Sequence, residues 1–211
     1  MHNSVVGARS LELSVVLKDV LAVVAPRLRA HGYKGSGQNY RLVDENAVSV
    51  VNFQKSSGGE RFYVNVGVQP LFVPTEGEST PDAKKIKEPE CIFHTRLKPP
   101  QNAMAGWPYS VDLAEQLAAD FDDLHATFVQ PLMTIPGPVT EASVGDFDEH
   151  TGHPLLGARH ARNFLHFARI SLARGNTERA AEFSQAAIDI CPERASTLLH
   201  HLKDVLARAS L

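Results

Sequence analysis

Cysteine is scarce in this sequence, and no long apolar run is free of charge. The two cysteines, Cys91 and Cys191, form no spaced motif, so we expect reduced, buried thiols and no disulfide framework. The most apolar segment near the start, residues 15–24, contains Lys18 and Asp19, and Glu12 precedes it. The sequence therefore predicts no signal peptide and no membrane span, and we expect a soluble, cytoplasmic protein without a membrane partner.

Positive charge is also missing from one long segment. The chain of 211 residues carries a formal net charge of -3, and residues 99–158 contain no Lys or Arg. Acidic residues are frequent in that segment: Asp112, Glu115, Asp120, Asp122, Asp123, Glu141, Asp146, Asp148 and Glu149. Such a segment would repel a nucleic acid, so we expect no nucleic-acid partner.

Motifs for common reactions and cofactors are not found in the sequence. No Walker loop, dinucleotide-binding glycine pattern or G-x-S-x-G motif occurs. The glycine-rich "GYKGSG" follows a predicted helix and precedes a predicted strand, which is the wrong order for a phosphate-binding loop. We expect Cys91 to pack on the apolar face of a strand and Cys191 at a helix end, so neither is a predicted nucleophile. The sequence assigns no catalytic residue and no cofactor.

Helical spacing of apolar residues predicts a first helix over residues 11–29. Pro26 lies inside it, where it would kink the helix or start a new turn, and Gly32 closes it. The apolar stripe consists of Leu13, Val16, Leu17, Val20, Leu21, Val24 and Leu28. A strand follows, with Tyr40 and Leu42 on one face.

The stretch "VVNFQKSSGGERFYVNVGV", residues 50–68, predicts a β-hairpin with two different faces. Val51 and Phe53 pair with the apolar face of the second strand, which carries Phe62, Val64, Val66 and Val68. The same register places the polar residues Asn52, Gln54, Tyr63 and Asn65 together on the opposite face.

Three further elements complete the first part of the chain. Residues 74–89 are polar and contain proline, which indicates a long, mobile loop. "CIFHTRLK" predicts a strand on which Cys91, Phe93, Thr95 and Leu97 alternate with Ile92, His94 and Arg96. Ser110 is the predicted N-cap of a helix that extends to residue 132.

The predicted fold class is α+β, with an antiparallel sheet that has helices packed on one face and is followed by a C-terminal helical hairpin. We place the α+β domain at residues 1–136 and a linker rich in helix breakers at 137–157. Residues 158–211 form the helical hairpin and a capping helix.

The first part of the chain resembles an uncharacterised family, "domain of unknown function 4304". The likeness rests on "VAPRLRAHGYKGSGQNYRL", on "VVNFQKS" with "FYVNVGV", and on "CIFHTRL" followed by a tryptophan. It covers roughly residues 11–135. The resemblance implies an α+β domain and brings no established activity and no catalytic residues.

Residues 161–194 are similar to a single tetratricopeptide repeat. Phe164, Ala168, Gly175, Ala180, Ala187 and Pro192 occupy the positions that the repeat pattern needs. Ser171 stands where a tyrosine is usual, and Phe183 is one place early. One such repeat cannot bury its own apolar face, so it should pack on the first domain or on a second copy of the chain through the C-terminal helices.

The polar face of the predicted sheet is the candidate binding site: Asn52, Gln54, Tyr63, Asn65, His94 and Arg96. Amides donate and accept hydrogen bonds, and Arg96 offers a fork for an anion. The alternative is an ordinary solvated sheet face. We favour a non-enzymatic module that binds a protein or peptide; the second hypothesis is a small hydrolase or transferase that uses His94 and Arg96.

The stretch "DFDEHTGH" holds ligand types for a metal, namely Asp146, Asp148, Glu149, His150 and His153. Their spacing matches no closed zinc site, and they fall in the predicted linker. We therefore predict no metal site there.

The predicted hairpin faces can be tested by three substitutions. We expect Val64→Asp and Phe53→Asp to be severely destabilising because each buries a charge, whereas Asn65→Ala, on the outer face, should be tolerated. Thermal melts measure all three. Equal losses of stability would show that the faces are assigned wrongly.

Overall fold

The computed structural model describes residues 3–99 and 106–211, with the side chains of residues 3–16 left out. Helix α1 spans Asn3–Ala30 and contains Pro26. Two residues after its end, Gly32 has a left-handed φ of 89°, and the Tyr33 amide donates back to the Leu28 carbonyl over 3.0 Å. The predicted stripe positions Leu13 and Val16 lie outside the described side chains.

The described residues form one antiparallel sheet of six strands. Its strands are β1 Lys34–Ser36, β2 Asn39–Val43, β3 Ala47–Lys55, β4 Arg61–Pro70, β5 Phe93–Leu97 and β6 Trp107–Pro108. Strands β1 to β5 lie side by side in chain order, and β6 pairs with the start of β4. This arrangement confirms the predicted α+β class with an antiparallel sheet.

The central hairpin has the register that the sequence predicts. Val51 lies opposite Val66, and Phe53 lies opposite Val64. All four side chains are buried on the inner face, where α1 and the helices after the sheet cover them. The alternation of apolar and polar residues therefore decides both the register and the face that enters the core.

The helix after the sheet begins later than predicted and has an irregular centre. Helix α2 spans Ala114–Leu124, a π-helical turn covers His125–Val129, and α3 is Gln130–Met133. Ser110 is not its N-cap, because residues 111–113 form a separate turn in which the Ala114 amide donates to the Val111 carbonyl. Pro131 has no amide hydrogen and crowds the carbonyl four residues before it, which accounts for the wider turn just ahead of it.

Residues 134–160 connect the sheet domain to the last helices and contribute to the core. Helix α4 covers Pro138–Glu141, and a 3-10 turn covers Val144–Asp146. Phe147 is 1% exposed, and its ring meets those of Phe164 and Phe167 at centroid distances of 5.1 and 5.2 Å. The domain boundaries drawn from the sequence stay a prediction.

The chain ends in three helices that pack on one another: α5 Ala161–Ala173, α6 Thr177–Ile190 and α7 Ser196–Ala209. Gly175, with a φ of 76°, makes the turn between α5 and α6. Phe167 of α5 lies 5.8 Å from Phe93 of β5, between ring centroids, so the helices dock on the edge of the sheet. Leu202 of α7 is buried in the same apolar core. Within the described part of the chain, no helix is long and apolar enough to cross a membrane.

Phe147 should be essential to stability although it lies between the predicted domains. Phe147→Ala leaves a cavity among Phe164, Phe167 and Phe183, so we expect a loss of about 3–5 kcal/mol in the free energy of unfolding. His150→Ala is the control, because this side chain is exposed in the same segment and should change stability by less than about 0.5 kcal/mol. Chemical denaturation measures both. Similar small losses would contradict the packing described here.

Candidate functional site

The structure places all six candidate residues on the outer face of the sheet. Asn52, Asn65 and Arg96 form one row across β3, β4 and β5, because Asn65 lies opposite Asn52 on one side and Arg96 on the other. Gln54 and Tyr63 form the neighbouring row. His94 lies two residues before Arg96, opposite Gly67 of β4.

Hydrogen bonds link the polar residues of this face to one another. Asn65 donates through Nδ2 to Gln54 Oε1 over 2.9 Å, and its Oδ1 accepts from Arg96 Nε over 2.8 Å. The Arg96 guanidinium lies 4.2 Å from the centre of the Tyr63 ring. Asn65 is only 5% exposed, whereas Gln54 and Arg96 are exposed. Asn65 therefore holds Arg96 in place, and the exposed surface is formed by Gln54 and Arg96 on either side of it.

The other half of the same face is covered by the loop of residues 71–92. Val48 and Val50 of β3 pack against Ile86 and Cys91 of this loop in a second, smaller apolar cluster. Arg41 also fixes the loop, since its Nη2 and Nε donate to the Ile86 carbonyl over 2.9 and 3.1 Å. The predicted loop is thus present, and it is packed on the sheet.

The position of Cys91 differs from the sequence prediction. Cys91 lies before β5, not within it, and it contacts the outer face instead of the inner core. The alternation extrapolated from β5 fails here because residues 91 and 92 form a bend. Burial, together with the nearby Glu88 and Glu90, raises the pKa of the Cys91 thiol, so it is neutral and a poor nucleophile.

Two residues that the sequence analysis did not single out hold the loop in this position. Gln69 is fully buried: its Nε2 donates to the carbonyls of Pro70 and Val73, and its Oε1 accepts from the Ile92 amide over 3.1 Å. It thereby joins the two ends of the loop. Gly67 provides the space, because a Cβ there would lie 2.8 Å from Cys91 Sγ. A glycine inside a strand is the only sequence signal for this close approach.

A carboxyl group lies at the boundary between the covered and open halves. Burial raises the pKa of Glu88, against the opposing electrostatic effect of His94 and Arg96. The open half thus combines one oriented cation, exposed amides and an aromatic ring. The guanidinium can bind an anion, and the amides can form hydrogen bonds with a peptide backbone.

The carboxylates of "DFDEHTGH" are used in local turns. Asp148 Oδ1 accepts from the amides of His150 and Thr151, and Asp146 Oδ2 accepts from the Ser143 amide. Across residues 17–99 and 106–211, no group of three or more His, Cys, Asp or Glu side chains is placed to hold a metal ion.

The comparison with protein families matches residues 24–126 to the model described as "Domain of unknown function (DUF4304)". This segment of the chain is similar to that family. The DUF4304 segment contains β1 to β6, α2 and all six candidate residues. The resemblance predicted from the sequence is therefore confirmed, with narrower bounds. No curated protein and no solved structure matches the chain.

The close approach at Gly67 predicts a selective effect of one added methyl group. Gly67→Ala should lower the free energy of unfolding by about 1–3 kcal/mol, because Cys91 and the Glu88 carbonyl have to move away. It should also make residues 71–92 easier to cleave in limited proteolysis. Gly58→Ala is the matched control, since nothing lies within 4 Å of its added Cβ in the β3–β4 turn. Equal behaviour of the two variants would mean that the loop does not depend on this contact.

Proposed function

We propose that this chain is a non-enzymatic interaction module that binds an acidic segment of a protein or peptide on the open half of its polar sheet face. The observation that carries the proposal is the fixed position of Arg96. Its Nε is bonded to Asn65, its guanidinium lies along the Tyr63 ring, and the residue as a whole is exposed.

An arginine held in this way loses little conformational freedom when it binds. Most exposed arginines have to give up side-chain entropy to form a directed ion pair, which offsets much of the attraction. Arg96 is already oriented by Asn65, and Asn65 is oriented by Gln54. Pre-organisation of this kind favours bidentate binding of a carboxylate.

The surroundings of Arg96 suit an extended or flat partner. The row that contains Arg96 continues across the sheet through Asn65 and Asn52 to Asn39 of β2. Asn39 is exposed, as is Gln54 of β3, and half-buried Asn52 donates to Asn39 over 2.8 Å. These amides can form hydrogen bonds with a peptide backbone, whose groups both donate and accept. The tetratricopeptide-like helices would complete such a surface from the far edge of β5, where α5 docks.

The alternative, a hydrolase or transferase that uses His94 and Arg96, is supported less well. Both side chains are exposed on an open sheet face, where water reaches any group that they would activate. Nδ1 of the His94 ring lies 3.5 Å from the Cys91 carbonyl oxygen. Among the contacts described for this face, neither His94 nor Arg96 is hydrogen-bonded to a side chain that could act as a nucleophile.

Selection from a library of random peptides would test the proposed binding on the whole chain. We expect the selected peptides to be rich in Asp and Glu. Arg96→Ala should weaken the binding of a selected peptide by about tenfold or more, in line with the loss of a charged hydrogen bond. Isothermal titration calorimetry measures the affinities.

The matched control is Arg194→Ala, an exposed arginine between α6 and α7, which should leave the affinity unchanged. Arg96→Lys should restore only part of the binding, because an ammonium group lacks the planar fork. Selected peptides without acidic residues, or equal binding by the Arg96→Ala variant, would overturn the proposal.

A further inference from the structure

A groove between α1 and the hairpin of β1 and β2 combines apolar walls with a positively charged rim. Its volume is about 550 Å³, which lies within the usual range for small-molecule sites. The side chains that matter here are apolar Leu17, Leu21 and Tyr40 and positively charged Lys18, Arg29 and Lys55. No Asp or Glu is among the lining residues that the structure describes. The groove is therefore suited to a ligand that is both apolar and negatively charged.

This groove lies on the other side of the sheet from Arg96. Alternation along β3 places Val51 and Lys55 on the inner face, whereas Gln54 lies on the outer, polar face. Tyr40 of β2 lies opposite Val51 and is 2% exposed, so its ring is held by the core. The groove is thus at the margin of the apolar core, and it shares no residue with the surface proposed for an acidic segment.

Helix α1 contributes one side of the groove. Lys18, Ala22 and Arg29 follow one another at intervals of four and seven residues, so they lie along one face of the helix. Lys18 and Arg29 are about 16 Å apart along the helix axis, at a rise of about 1.5 Å per residue. The small side chain of Ala22 is exposed between them. The groove is therefore open to solvent in its middle, with a cation towards each end.

The three cations are exposed and have no acidic partner among the residues that the structure describes. None of the ion pairs in that part of the chain involves Lys18, Arg29 or Lys55. Burial raises the pKa of Tyr40, and the positive charge of Arg29 opposes this effect, so the guanidinium lies near the phenol ring. Three like charges around one groove repel one another, and an anion bound between them relieves that repulsion.

We propose that this groove binds a small amphipathic anion, namely a carboxylate on an apolar body. The body would lie against Leu17, Leu21 and the ring of Tyr40, and against the aliphatic stems of the lysines and the arginine. The carboxylate would meet the charged ends of those same side chains at the rim. A neutral molecule of the same shape gains only the apolar contact, and an organic cation is repelled.

Three probes of nearly the same shape test the proposal on the intact chain: 3-phenylpropionate, 3-phenylpropanol and 3-phenylpropylammonium. For a ligand of this size, we expect 3-phenylpropionate to bind with a Kd on the order of 1 mM. The alcohol and the ammonium compound should each bind about tenfold more weakly or worse, which corresponds to the loss of one charged contact. Calorimetry measures the affinities. The methyl NMR resonances of Leu17 and Leu21 should shift when the carboxylate binds.

Variants at exposed positions change the charge or the shape of the groove with little risk to the fold. Arg29→Glu combined with Lys55→Glu should reverse the preference, so that the ammonium compound binds more tightly than the carboxylate. Lys203→Glu, at an exposed lysine of α7, is the control and should leave the order unchanged. Ala22→Trp should fill the middle of the groove and weaken the binding of 3-phenylpropionate at least tenfold.

Four results would each overturn the proposal. They are equal binding of the carboxylate and the alcohol, methyl resonances of Leu17 and Leu21 that do not shift, an unchanged preference in the doubly substituted chain, and full binding by Ala22→Trp.

Discussion

The contact between Gly67 and Cys91 determines what the outer face of the sheet presents. Because β4 has no side chain at this point, the loop of residues 71–92 lies directly on the strand and covers Val48 and Val50. Two apolar residues on a polar face would otherwise be exposed to water. The loop therefore leaves open the part of the face that carries Gln54, Tyr63 and Arg96.

The same loop connects the sheet to the C-terminal helices. Near its start, Glu76 meets His166, and Glu78 forms an ion pair of 2.7 Å with Arg169 of α5. Glu78 has a left-handed φ of 61°, an uncommon conformation for a residue with a side chain. The aromatic contact of Phe167 with Phe93 joins α5 to the sheet a second time. The sheet, the loop of residues 71–92 and the C-terminal helices are thus packed together as one unit.

The sequence predicts this fold well where contacts are local and periodic. Alternation in β3 and β4 places Val64 inside and Asn52 outside, because successive side chains of a strand point to opposite faces of the sheet and the turn sets the register. Prediction from the sequence fails where a contact between residues far apart in the chain determines the local structure. Cys91 leaves the expected face because residues 91 and 92 form a bend, and the missing side chain of Gly67 makes room for it there. Pro131 widens the preceding helical turn, an effect that the spacing of apolar residues does not predict. Glu76 and His166 are 90 residues apart, and no sequence pattern brings them together.

The position of Glu88 limits how strongly the proposed surface can bind an acidic partner. Its carboxyl group interacts electrostatically with both His94 and Arg96, so it already supplies part of what a partner would offer. Burial makes it a poorer anion than an exposed carboxylate, which leaves Arg96 only partly neutralised. A partner has to compete with this internal group, and the gain on binding is the difference between the two interactions. A surface of this kind suits reversible binding, in which specificity comes from the fixed geometry of Arg96 more than from net attraction.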